Sequence, residues 1–145
     1  MAFKVPDIPG AEDVVRWFGQ WPSFHDAEVI SIPLHRSKGV IVEIHAFETS
    51  SEVDTRGYYV QAKHAIITFA LDGFPMNAEG IASTRIEYFN HQNVLSGVDI
   101  ERAPGGYILT LDGCFGVDAV FYCERLMAKI QPGIPDDSIY GRSAG

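Results

Sequence analysis

With 145 residues, of which 46% are hydrophobic and 12% aromatic, the chain has the size and composition of one globular domain with its own core, which excludes the disordered and low-complexity classes. Acidic residues outnumber basic ones by 19 to 11, for a net charge of −8. Such a field repels nucleic-acid backbones and anionic membranes and favours a basic partner, so neither nucleic acid nor membrane is expected to bind.

Residues 1 to 9 read as an extended lead-in. Pro6, Asp7, Pro9, Glu12 and Asp13 interrupt any apolar run, so no signal peptide is expected. From Ala11, the residues Ala11, Val14, Val15 and Phe18 recur at helical spacing, with Glu12 and Asp13 in the first turn and Gly19 placed to stop the helix. Trp17 and Trp21 widen its apolar face, and Pro22 biases Trp21 toward an extended conformation. The rest of the chain alternates with period two. Ile30, Ile32 and Leu34 share one strand face, and Val40, Val42, Ile44 and Ala46 share the next. After the polar insert SSEVDTRG come Ala65, Ile67, Phe69 and Leu71. Weaker strands are expected at 80–89 and 94–101, separated by NHQN. Tyr107, Leu109 and Leu111 follow the turn RAPGG, and Val117, Ala119, Phe121 and Cys123 line one face after DGCFG. Leu126, Ala128 and Ile130 continue the alternation, which predicts one long last strand.

The pattern predicts a mainly β (α+β) domain. Its architecture is an antiparallel meander of about seven strands, folded as a sandwich or a strongly curled sheet, with one short N-terminal helix. A single domain spans 1–145, with the core at about 11–131 and a loop-like tail over 132–145. The two cysteines, Cys114 and Cys123, are expected to stay unpaired. Six strand steps from 117 to 123 span roughly 20 Å, whereas a disulfide needs Cα atoms within about 7 Å. Reduced thiols point to the cytoplasm.

No nucleophile elbow, phosphate loop or H-E-x-x-H motif is present, and neither cysteine belongs to a C-x-x-C pair. GCFG reads as a tight turn. The five histidines form no local chelating pair, so no metal or cofactor is expected, although His25, Asp26, His64 and His91 are the residue types that could assemble a site. In EIHAF, Glu43 and His45 share a strand face and would meet water there if that face is half exposed.

Two polar clusters stand out as binding or structural residues. In FHDAE, Asp26 at a strand entrance is expected to accept backbone N–H bonds, with His25 pinning the turn. In YFNHQNV, the residues Asn90, His91, Gln92 and Asn93 replace the glycine common in hairpins. Their many donors and acceptors suit a polar network reached by His25.

WPSFHDAEV, FNHQNVLSGVDI and GCFGVDAVFYCERL, in that order over Trp17 to Gly133, resemble the immunity-protein-50 family of bacterial polymorphic toxin systems. The insert PMNAEGIAST departs from that pattern. The resemblance implies a small cytoplasmic antidote, not an enzyme, that binds a cognate toxin protein and blocks it. Alternative readings are a small His/Asp-dependent hydrolase or metal-binding enzyme using His25, Asp26 and His91, and a small-ligand-binding β domain.

Overall fold

The computed structural model describes residues 4–73, 84–136 and 138. The insert PMNAEGIAST lies, but for its last residue, outside the described residues, as do most of the expected tail and the start of the expected 80–89 strand. Helix α1 spans Ala11–Phe18, the segment expected to be helical. It buries Ala11, Val14 and Phe18, and the Gly19 N–H closes its last turn on the Val15 carbonyl. Gly10 begins it at φ 89, with its Cα against the carbonyl of Ala128. A Cβ at Gly10 would overlap that oxygen, and the left-handed φ also favours glycine.

Among the described residues nine strands follow: β1 Glu28–Ser31, β2 Leu34–His35, β3 Gly39–Val53, β4 Tyr59–Asp72, β5 Thr84–Glu87, β6 Val94–Ala103, β7 Gly106–Phe115, β8 Asp118–Cys123 and β9 Arg125–Pro132. The fold is mainly β with one short helix, and every pairing is antiparallel. The sheet is open, in the order β5-β8-β7-β6-β1-β3-β4-β9, with β2 attached to β3. β8 and β9 flank the single residue Glu124, yet they sit second and last in that order. The sheet therefore curls strongly enough to bring its two ends together at this corner. There the Glu124 N–H reaches the carbonyls of Asp72 (3.1 Å) and Gly73 (2.9 Å). The expected long last strand is thus two strands with different neighbours. The buried residues of β8 are odd-numbered (Ala119, Phe121, Cys123), and those of β9 are even-numbered (Leu126, Ala128). An unbroken strand cannot change phase and keep one face buried.

The concave face holds the core. Val42, Ile44, Ile67, Phe69, Leu95, Leu109 and Phe121 are wholly inaccessible to water. Trp21 packs edge-on to Phe24 at 5.8 Å and tilted against Phe69 at 6.3 Å. The lead-in protects the outer edge of β9, where the Ala128 N–H bonds the Pro9 carbonyl at 2.8 Å. Cys114 and Cys123 are both free, and Cys123 shares the buried face with Phe121. Burial pushes the Cys123 thiol up to about 11. No helix among the described residues is long and apolar enough to cross a membrane.

Candidate functional site

The FHDAE segment makes the turn into β1. Phe24 and Asp26 take positive φ values of 59 and 65, which reverse the chain sharply. Phe24 is buried in the core, while the side chains of His25 and Asp26 are 67% and 48% exposed. Their closest approach is 3.7 Å, from His25 Nε2 to Asp26 Oδ2. Two expectations are corrected here. No backbone N–H is bonded to the Asp26 carboxylate among the described residues, and the His25 ring does not reach the Asn90–Asn93 segment. The backbone makes that link instead. The Asp26 N–H donates to the Leu95 carbonyl (2.9 Å), the Leu95 N–H to Ala27 (2.8 Å), and the Val29 N–H to Asn93 (2.9 Å).

Asn90 and Asn93 cap one another. Asn93 Oδ1 accepts the Asn90 N–H at 2.7 Å, and Asn90 Oδ1 accepts the N–H groups of Gln92 (2.7 Å) and Asn93 (3.2 Å). Asn93 Nδ2 donates back to the Asn90 carbonyl. Asn93 is buried, Asn90 and Gln92 are half-buried, and His91 is exposed. The turn rests on Gly116 (φ 95), where a Cβ would lie 2.9 Å from both Asn90 Nδ2 and Asn93 Oδ1. It holds Tyr88 and Phe89 on one side and Phe115, the strand partner of Val94, on the other; all three are exposed.

The strongest electrostatic feature lies elsewhere. Glu28 in β1 pairs directly with His45 in β3, and both turn away from the apolar core. A bulge in the β3–β4 ladder, with Lys63 at φ 56, places His64 of β4 next in the row. His45 Nδ1 lies 2.6 Å from Glu28 Oε1, and His45 Nε2 lies 2.9 Å from His64 Nδ1. Ser138 donates its hydroxyl to Glu28 and lies 3.3 Å from His45 Nδ1. His45 is fully buried, and Phe47 packs on both rings at 5.4 and 5.5 Å. Burial, followed by the charge of His45, holds His64 below the ordinary imidazole range, against the opposing pull of Glu28. In a hydrolase triad, the hydroxyl and the carboxylate occupy opposite ring nitrogens. Here both sit on Nδ1, so this cluster ties the C-terminal segment to the sheet. The sequence put His45 in water on the condition that its strand face is half exposed, and that condition does not hold for His45. The missed signal was Phe47, an aromatic two residues on along the same strand face. Among the described residues, no group of three His, Cys, Asp or Glu side chains is placed to hold a metal ion.

A charged surface lies on the convex side of β5–β8–β7–β6. Leu109, Leu111, Ala119 and Phe121 point into the core, so register turns their neighbours outward. Ile108, Thr110, Val120 and Tyr122 make a half-buried centre. Glu87, Asp99, Glu101, Asp112 and Asp118 surround it, with Arg85 beside Glu87 at 3.7 Å. Glu87 and Asp118 are direct cross-strand partners, and Asp118 Oδ1 accepts the Gly113 N–H at 2.8 Å. Comparison with family models, curated proteins and solved structures gives no match.

Proposed function

We propose that this chain is a non-enzymatic binding protein of the immunity type, which acts in the cytoplasm by covering a basic surface of a cognate toxin domain. The observation that carries this reading is the convex face of β5–β8–β7–β6. It has a half-buried centre of Ile108, Thr110, Val120 and Tyr122 and an acidic surround, and the exposed Tyr88, Phe89 and Phe115 lie by the turn at one end of these strands. Interfaces are commonly built this way, with apolar and aromatic groups supplying affinity and charged rims setting partner choice and association rate. The mutually capped Asn90–Asn93 turn fixes the aromatic end before binding, which limits the ordering cost.

The test is a search of the neighbouring genes for a toxin-like domain, co-expression of this chain with that domain, and size-exclusion chromatography of the mixture. Protection and a co-eluting complex are expected. The double variant Glu87→Lys/Asp112→Lys should lose both while keeping its unfolding midpoint. Protection equal to that of the unaltered protein would remove this face from the interface, and a toxin left fully active by the unaltered protein would remove the immunity reading.

A further inference from the structure

A cleft of about 680 Å³ opens at the other end of the curled sheet, between the lead-in Lys4–Asp7, the Trp21–Pro22 segment and β6. Its volume falls within the range of small-molecule sites, roughly 300 to 1,000 Å³. The floor is apolar and fixed. Trp21 is held by Phe24 and Phe69. Val98 and Ile100 stand opposite the buried Leu111 and Leu109, and both pack on the core.

Two cations stand over this floor. Arg102 faces inward opposite Tyr107. Its guanidinium lies 5.2 Å over the Tyr107 ring and donates to Tyr107 Oη at 2.9 Å. The Tyr107 hydroxyl in turn donates to the Asp7 carbonyl at 3.2 Å, which leaves the guanidinium aimed by neutral partners. Lys4 lines the same cleft. Neither cation lies within 4.0 Å of a carboxylate among the described residues, as is also true of Arg36, Lys38 and Lys129, whereas Arg16, Arg56, Lys63, Arg85 and Arg125 all have one. Asp99 and Glu101 contribute to the cleft wall, but strand alternation sends their side chains to the convex face, opposite Thr110 and Ile108. In a chain of net charge −8, this cleft, whose lining also includes Asp7, sets two cations beside an aromatic and aliphatic floor.

We infer that this cleft binds a small amphipathic anion, with a flat apolar body seated on Trp21, Val98 and Ile100 and an ionised carboxylate, sulfonate or phosphate head at Arg102 and Lys4. The aromatic and aliphatic floor supplies the affinity, and the guanidinium fork supplies the preference for a planar oxyanion. The site lies at the opposite end of β6 and β7 from the aromatic residues Tyr88, Phe89 and Phe115, and its test does not depend on the toxin reading.

The probe is 8-anilinonaphthalene-1-sulfonate, followed by its own fluorescence and by quenching of tryptophan emission. One saturable site is expected. Arg102→Gln should weaken binding about tenfold, the worth of a charge-assisted hydrogen bond, and Val98→Trp should fill the floor and abolish it. Arg125→Gln, which removes a surface cation already paired with Asp72, should leave it unchanged. Far-ultraviolet circular dichroism and a denaturant midpoint for each variant exclude dye bound to partly unfolded protein. If Val98→Trp fails to fold, Tyr107→Phe keeps the floor and removes the hydroxyl that aims the guanidinium, so binding should weaken a few-fold, and unchanged binding would overturn the role of Arg102. Arg102→Gln and Arg125→Gln weakening the dye equally, or N-phenyl-1-naphthylamine, the uncharged analogue, competing as well as the sulfonate, would overturn the site.

Discussion

The two histidine–carboxylate pairs of this protein behave in opposite ways. His25 and Asp26 are adjacent in the chain, yet they lie 3.7 Å apart in solvent and hold nothing else. Glu28 and His45 are separated by 17 positions, yet they meet at 2.6 Å, buried, with His64 and Ser138 joined to them. Strand register brought the second pair together, whereas adjacency gave the first only a weak surface contact. A charge pair in water contributes about 0 to 1 kcal/mol, while removing one partner from a buried pair costs about 3 to 5 kcal/mol.

The largest effect should therefore come from the buried pair. Glu28→Ala is expected to lower stability by about 3 to 5 kcal/mol, read as a fall in the urea midpoint, because it leaves His45 and the Ser138 hydroxyl without their shared acceptor. A shift no larger than that of His25→Ala would abolish the contrast between the two pairs. Asn93→Ala should come next, at about 1 to 3 kcal/mol, since it removes the acceptor of the Asn90 N–H beneath a buried side chain. The same measurement checks it.

Mild acidity should act through His64. His64 is held below its ordinary value of 6.5 in the folded chain, so the unfolded chain takes up the proton first. Stability is then complete above about pH 6.5 and is lost as the pH falls from there through the lowered folded value. Midpoints measured between pH 7.5 and 5 should fall in the unaltered protein and fall less in His64→Gln. Equal slopes would mean that other groups carry the dependence. The smallest effects should be those of His25→Ala and Asp26→Gly, each within about 0.5 kcal/mol. At Asp26, glycine accepts φ 65 without strain, and no hydrogen bond of the carboxylate is lost.

What the sequence made legible follows the range of the forces involved. Helix α1 could be read because its caps and spacing are local, and the strand faces could be read because alternation is local. The split between β8 and β9 was also visible, as a change from odd-numbered to even-numbered apolar positions between Cys123 and Leu126. The Asn90–Asn93 cluster was legible as a group of polar side chains, although its internal capping was not. The Glu28–His45–His64 row was hidden because it depends on register, and the β1–β3 and β3–β4 ladders both contain irregularities that shift register. Ser138 lay in a segment that reads only as a polar tail. The reach of His25 toward Asn90–Asn93 was inferred from side chains, but the backbone ladder already joins those segments and leaves the ring nothing to bridge.

The corner at Glu124 also governs the order in which the protein can be completed. β9 is the last strand among the described residues, and its partner β4 precedes it by more than fifty residues. On a ribosome adding about 5 to 20 residues per second, the long edge of β4 waits several seconds for its neighbour, with Ala65, Ile67, Phe69 and Leu71 not yet sealed. The lead-in and α1 also settle on β9. Pairings this distant in sequence make for slow folding, and a nascent chain stopped before Arg125 would present an open, apolar sheet edge to chaperones and to other copies of itself.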